Sequence, residues 1–278
     1  MKPILVATDL SERADRAIER AFLLGSEHGA EVVVLTVLEE ALAERLGADV
    51  TKATRDRLTS HVASLAVAHG VPHRVEVALG KPYREILAQA AQCNPELIVM
   101  GMHRENGLLD LFRGTTVARV ARGGVWPVLL VRDHPDRPYQ RALVAVDFSD
   151  ASRRALQAVR RLAPAAERWL VHAYTVPFRG YIAVGADPGA VIASPEGRAA
   201  DAEARREMAA FLESVGPEPN PPIVAEGGVL SVLHRARAEV KPDLIAVGRH
   251  GRPGLLHAIL GSVAEELLRD PPCDLLVA

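Results

Sequence analysis

Four small residues near the end of the chain have the spacing of an anion-binding loop. Gly248, Gly251, Gly261 and Ser262 form the pattern Gly-x2-Gly-x9-Gly-Ser, directly after the apolar run LIAV. Glycine lets the backbone approach a phosphate without a Cβ in the way, and the N–H groups that start a following helix attract the anion. The pattern therefore predicts a phosphate site, although loop glycines and a helix-starting Gly-Ser pair of purely structural use would have the same spacing.

The residues beside these glycines could contact the same anion. Ser262 is expected to cap the last helix with its hydroxyl. Val263, the next residue, is also a candidate for ligand binding. Arg249, His250 and Arg252 make the loop locally cationic, and both a solvated loop and phosphate contact fit these three residues. No Gly-Lys-Ser/Thr sequence follows, so we do not expect a P-loop.

Most of the glycine pattern recurs 147 residues earlier in the chain. Gly101, Gly114 and Thr115 stand at the matching positions, but Arg104 replaces the residue that corresponds to Gly251. The Arg104 side chain could fill the phosphate pocket, or its guanidinium could donate to a phosphate. The sequence leaves both interpretations open.

Each copy also has an aspartate where its first predicted strand ends. Asp9 lies in TDLSE and Asp147 lies in VDFSD. A carboxylate there can accept hydrogen bonds from ribose hydroxyls or from an adenine amino group, and a turn that the carboxylate stabilises is the alternative. Ser11 and Ser149 are expected to cap the helices that follow.

The elements that position these residues form an internal repeat. Residues 4–21 match 142–159, residues 80–104 match 227–251, and residues 114–131 match 261–278. Apolar strands alternate with helices, which is typical of a doubly wound sheet with helices on both faces. The sequence thus predicts tandem α/β domains at 1–133 and 139–278, each with a five-stranded parallel sheet of the Rossmann-like, nucleotide-binding type. The strands expected in the first copy are near 3–8, 32–37, 73–78, 97–100 and 128–131.

In such sheets the ligand binds beyond the carboxyl ends of the strands, where the strand order reverses. We expect Asp9 and Gly101 to flank that crevice in the first domain. We expect no catalytic residue and no metal site, because the ten histidines are scattered and no nucleophile motif is present.

Composition narrows the classes of partner. The chain has 278 residues with 33 Lys+Arg and 35 Asp+Glu, a net charge of −2, which argues against nucleic acid as the main partner. Cys93 and Cys273 form no CxxC motif, which fits a reducing compartment. The start of the chain does not resemble a signal peptide, and no apolar run is long enough to span a membrane, so we expect a cytoplasmic location and no membrane partner.

Two segments carry a resemblance to a known family. VAVDFSDAS at 144–152 and VGRHGRPGLLHAILGSVAEELLRDPPCDLLVA at 247–278 resemble the universal stress protein family, and the chain resembles a tandem member over nearly its whole length. The ATP-binding branch of that family uses the Gly-x2-Gly-x9-Gly-Ser/Thr motif. The resemblance therefore implies that the C-terminal domain binds ATP or another adenine nucleotide, with Mg²⁺ as an accompanying ion.

The candidate ligand residues follow from the motif and the resemblance together. In the C-terminal domain they are Asp147, Ala173, Gly248, Arg249, His250, Gly251, Gly261, Ser262 and Val263, with Ala173 expected to offer backbone groups to adenine. In the N-terminal domain, where Arg104 interrupts the motif, they are Asp9, Val37, Gly101, Arg104, Gly114 and Thr115.

These features favour a non-enzymatic stress-response protein that acts as a nucleotide-dependent regulatory or protective module. A slow ATP hydrolase or nucleotidyl-transfer enzyme is one alternative, and a structural or regulatory dimer that binds no nucleotide is another. Family members usually dimerise through edge strands. The resemblance therefore implies that 128–131 and 275–277 pair and make one chain a pseudo-dimer, which could pair again as a homodimer.

Overall fold

The computed structural model describes residues 2–47, 49–102, 116–176, 192–250 and 260–278. The chain divides into two compact units. The first comprises Met1–Pro138 together with Leu256–Ala278, and the second comprises Tyr139–Leu255. The end of the second sequence repeat therefore groups with the first unit.

No helix in the described part of the chain is both long enough and apolar enough to span a membrane.

Strands and helices alternate along the described chain, as the repeat predicts. The strands are β1 (Ile4–Thr8), β2 (Val32–Leu38), β3 (His73–Leu79), β4 (Leu97–Gly101), β5 (Val128–Val131), β6 (Arg141–Ala145), β7 (Glu167–Tyr174), β8 (Ile223–Glu226), β9 (Leu244–Val247) and β10 (Asp274–Val277). The helices are α1 (Glu12–His28), α2 (Glu40–Leu46), α3 (Val50–Ser64), α4 (Pro82–Cys93), α5 (Thr116–Gly123), α6 (Asp150–Leu162), α7 (Pro195–Val215), α8 (Val229–Val240) and α9 (Ser262–Arg269). The five strands predicted in the first repeat match β1 to β5 to within one residue at each end.

The sheet of the first unit has the strand order β3-β2-β1-β4-β5-β10. Strands β1 to β5 are parallel, and β10 pairs antiparallel with β5, with Leu275 opposite Leu130. The chain builds outward from β1 through β2 to β3, and then crosses over to add β4 and β5 on the other side. The direction of strand addition therefore reverses between β1 and β4. Because crossovers between parallel strands are right-handed, the helices of these two halves lie on opposite faces of the sheet.

The second unit repeats this arrangement with the parallel order β9-β6-β7-β8. Its first strand, β6, lies between the second strand, β7, and the fourth strand, β9. The order therefore reverses between β6 and β9, at the position that corresponds to the junction of β1 and β4. Both units have the predicted doubly wound α/β fold.

Burial explains why these sequences form these elements. The runs in β1 and β2 are almost entirely buried, as expected for parallel strands covered on both faces. Helix α1 begins where Ser11 accepts a hydrogen bond from the Ala14 N–H, and Ser149 caps α6 in the same way through Ser152. The apolar face of α1 packs on β1 and β4. Phe22 on that face is fully buried, which contributes about 1.5–3 kcal/mol.

Candidate functional site

A tight turn joins β1 to α1 at the carboxyl edge of the first sheet. Asp9 Oδ1 accepts hydrogen bonds from the Ser11 N–H at 3.0 Å and from the Ser11 hydroxyl at 2.6 Å. Leu10, between them, has a φ of +62°, in the left-handed region that residues with a Cβ rarely adopt. Such a conformation costs on the order of 1–3 kcal/mol and occurs most often at binding sites and active sites.

The second unit has the same turn after β6. Asp147 Oδ1 accepts from the Ser149 N–H at 3.1 Å and from its hydroxyl at 2.6 Å, and Phe148 has a φ of +68°. The turn role considered for Asp9 is thus present at both aspartates. The sequence did not indicate the left-handed residues, because neither leucine nor phenylalanine is typical of that conformation.

The glycine that ends each fourth strand has a structural reason to be glycine. A Cβ on Gly101 would lie 2.8 Å from the Arg13 carbonyl oxygen, and a Cβ on Gly248 would lie 2.9 Å from the Ala151 carbonyl carbon. Both distances are shorter than real Cβ contacts. Close packing against the first turn of the helix therefore requires glycine at these two positions whether or not a ligand binds.

In the first unit a cavity of about 130 Å³ opens at the reversal of strand order. Its lining comprises Ala7, Thr8, Asp9, Ala14, Leu35, Val37, Pro82, Ile86, Met100, Gly101, Met102, Thr116 and Val117. The structure thus brings Asp9, Val37 and Gly101 together, as the sequence predicts. The walls are mainly apolar, with one carboxylate. The volume is close to that of an engineered apolar cavity of about 150 Å³ that admits benzene, so a single ring fits.

In the second unit the parallel strands bring the predicted residues to the same edge. Asp147 follows β6, Ala173 lies near the end of the neighbouring β7, and Gly248 follows β9 on the other side. Two contacts of His172 join β7 to the turn after β6. The centroid of its ring lies 4.3 Å from that of the Phe148 ring, and its Nδ1 lies 2.8 Å from the Val146 carbonyl oxygen. His172 is not among the residues expected from the sequence, because its only signal there is its place in the second strand of the repeat.

Arg249 is buried at the end of β9, with only 8% of its surface exposed. Burial lowers the pKa of its guanidinium, and repulsion from Arg154 lowers it further. The solvated-loop interpretation is therefore wrong for Arg249. Its neighbour His250 is half-buried. Two arginines close together, one of them buried, form a cationic environment that suits an anion such as phosphate.

The predicted cap of the last helix is wrong. Helix α9 begins at Ser262, so the cap residue is Gly261, with φ −65° and ψ 147°, and no side chain caps the helix. Ser262 is the first helical residue and lies one position past the cap. By the contact-based division, Gly261, Ser262 and Val263 belong to the first unit and Asp147 to the second.

The remaining candidates lie outside the described residues: Arg104, Gly114, Thr115, Gly251 and Arg252. Within the described residues, no three His, Cys, Asp or Glu side chains come together in a group that could hold a metal ion.

The chain is similar in sequence and in fold to known universal stress proteins. A universal stress protein of Thermus aquaticus is 33% identical over 135 residues, which are 47% of this chain and 98% of that protein. A universal stress protein of Methanocaldococcus jannaschii is 28% identical over 139 residues, 47% of this chain and 82% of that protein. The solved structure of a universal stress protein from Archaeoglobus fulgidus DSM 4304 has a TM-score of 0.66 at 20% identity and covers 99% of this chain and 97% of its own, a likeness of fold alone.

The family model gives the most complete match. Residues 1–132 and residues 138–278 each match the model of the universal stress protein family. These two matches coincide with the two sequence repeats and span nearly the whole chain. The chain therefore belongs to the universal stress protein family.

Proposed function

We propose that the C-terminal repeat binds ATP or a related adenine nucleotide and that the protein is a nucleotide-dependent regulatory or protective module of the stress response. The observation that carries this proposal is the placement of Asp147 and Arg249. They follow two adjacent parallel strands at the point where the strand order reverses, which is where doubly wound sheets bind nucleotides.

The residues of the second unit fit the parts of a nucleotide. The Asp147 carboxylate can accept hydrogen bonds from ribose hydroxyls, and the backbone at Ala173 can recognise adenine. The Arg249 guanidinium can donate to a phosphate, and the added negative charge would offset its repulsion with Arg154. His250 adds polar groups beside it. The sequence motif alone supports a role in ligand binding for Gly251, Gly261, Ser262 and Val263. Mg²⁺ would bind together with the triphosphate.

The proposal is a binding function because the candidate residues that the structure describes supply contacts to a ligand, and none of those described is placed to orient an attacking water. Nucleotide occupancy would stabilise the folded state by mass action, or would shift a surface that a partner recognises. A cytoplasmic location and an intramolecular pseudo-dimer remain part of the proposal. The antiparallel pairing of β5 with β10 supports the expected edge-strand contact.

The test is calorimetric titration of the full chain with Mg-ATP, comparing Asp147→Asn with Asp150→Asn. Asparagine can still accept from Ser149, so the turn is kept while the charge is lost. We expect affinity for ATP to fall about tenfold or more in Asp147→Asn, because hydrogen bonds to charged groups contribute about 1.5–3 kcal/mol. Asp150 is almost fully exposed and loses the same charge. Equal affinities in the two variants would refute the role of Asp147.

A further inference from the structure

A second cavity of the first unit is lined mainly by arginines. It measures about 250 Å³, and its lining comprises Arg13, Arg16, Met102, Val131, Arg132 and Asp270. Three arginines and one aspartate therefore line this space. The Asp270 side chain is 88% exposed, so its charge is well screened by water and offsets little of theirs. The cavity is locally cationic in a chain whose net charge is −2.

The fold places two of these arginines on one helix and holds the side chains of Arg16 and Arg132 by hydrogen bonds. Arg13 and Arg16 are three residues apart in the first turns of α1, so they share one face of the helix. The Arg16 Nη1 donates to the Arg132 carbonyl oxygen at 2.7 Å, which joins the helix to the end of β5. The Arg132 side chain donates in turn to the Pro271 carbonyl oxygen and lies 3.6 Å from Asp270 Oδ1.

These contacts leave donors for a ligand. A guanidinium has five N–H donors, more than the carbonyl contacts of Arg16 and Arg132 use. Among the described residues, the Arg13 side chain forms neither an ion pair nor a hydrogen bond. Like charges three residues apart on a helix repel one another, so an anion between Arg13 and Arg16 would remove an unfavourable interaction as well as add hydrogen bonds.

The arginine cavity adjoins the apolar cavity at the reversal of strand order. Met102 lines both spaces, and only the larger of the two is lined mainly by arginines. The arginines are not part of the glycine pattern. In the second repeat, the position of Arg13 is occupied by Ala151 and that of Arg16 by Arg154, so the pair is specific to the first repeat.

We infer that the first unit binds a phosphate-bearing small molecule whose anionic group lies among Arg13, Arg16 and Arg132. This site goes beyond the proposed function, which concerns the C-terminal repeat. It binds its anion from the side of the first helix and does not depend on an intact glycine motif. Arginine suits this task because its planar fork matches the oxygens of phosphate.

The first experiment titrates the full chain with inorganic tripolyphosphate by calorimetry. The double variant Arg13→Gln with Arg16→Gln is compared with Arg45→Gln and Arg57→Gln, two exposed arginines on α2 and α3 that lose the same charge. We expect the first pair to weaken tripolyphosphate binding about tenfold or more and the control pair to change it less than about twofold. Equal weakening in both double variants, or no binding by the wild type, would overturn the inference.

A second experiment locates the anion and separates this inference from the proposed function. Phenylglyoxal modifies accessible arginines, and peptide mass spectrometry reports which ones are modified. Tripolyphosphate should protect Arg13 and Arg16, leave Arg45 and Arg57 reactive, and do so equally in wild type and Asp147→Asn. Protection of all four arginines alike, or of none, would contradict the site. Weaker ATP binding in Asp147→Asn with this protection intact would show that the two sites are independent.

Discussion

Arg20 in the first helix and Asp274 in the last strand form a buried ion pair, with Arg20 Nε 3.4 Å from Asp274 Oδ2. Their side chains are 6% and 1% exposed. The other oxygen, Asp274 Oδ1, accepts from the N–H groups of Arg132 at 2.8 Å and Asp133 at 3.1 Å. One carboxylate thus ties the end of the chain to α1 and to the segment after β5, which explains why the last strand groups with the first unit.

Replacing Asp274 with alanine should destabilise the first unit strongly. The change leaves the Arg20 charge buried without its carboxylate and removes an acceptor from two backbone N–H groups. Losing one partner of a buried ion pair costs about 3–5 kcal/mol. Urea unfolding followed by circular dichroism measures the loss, with Asp270→Ala as the control because that carboxylate is almost fully exposed. A similar small effect in both variants would show that the pair does not stabilise the fold.

Gly101→Ala should also destabilise the protein, by about 1–3 kcal/mol, because its Cβ would press against the Arg13 carbonyl oxygen at 2.8 Å. Gly228→Ala is the matched control, since its Cβ would meet nothing within 4 Å and its φ of −66° suits alanine. Thermal unfolding in the absence of any ligand measures both. If Gly101→Ala unfolds at the temperature of wild type, the glycine is not required by helix packing.

Arg249→Met should separate stability from binding. Methionine keeps much of the buried apolar stem and removes a charge that lies near Arg154 in a desolvated place. Replacing a buried charge by an apolar residue of similar size is often neutral or stabilising, so we expect no drop in melting temperature. ATP affinity should fall about tenfold or more. A large loss of stability with unchanged ATP affinity would assign Arg249 a purely structural role.

The strands and the first caps could be predicted because their signals are local. Continuous apolar runs mark β1 to β5, and Ser11 and Ser149 cap helices three residues from their partners. The cap at Ser262 was predicted wrongly, because either residue of a Gly-Ser pair can be the cap of a helix. The extended backbone angles of Gly261 show that the glycine is the cap in this structure.

The contacts that the sequence did not predict join distant or locally unusual residues. Arg20 and Asp274 lie near opposite ends of the chain. The second repeat has no equivalent pair that could reveal the contact, because Ala158 occupies the position of Arg20 there. The left-handed angles at Leu10 and Phe148 follow from the turn that the preceding aspartates stabilise. The burial of Arg249 arises from tertiary packing, which its loop sequence, rich in cationic residues, does not indicate.

The most direct test of the account is the amount and identity of nucleotide that the purified protein carries. Denaturing the protein and analysing the released small molecules by mass spectrometry gives both, and Mg-ATP is then titrated into the ligand-free chain. We expect an adenine nucleotide to be released and to bind again, with an affinity about tenfold or more lower in Asp147→Asn. Release of no nucleotide, together with no binding of Mg-ATP by the ligand-free chain, would contradict nucleotide binding by this protein.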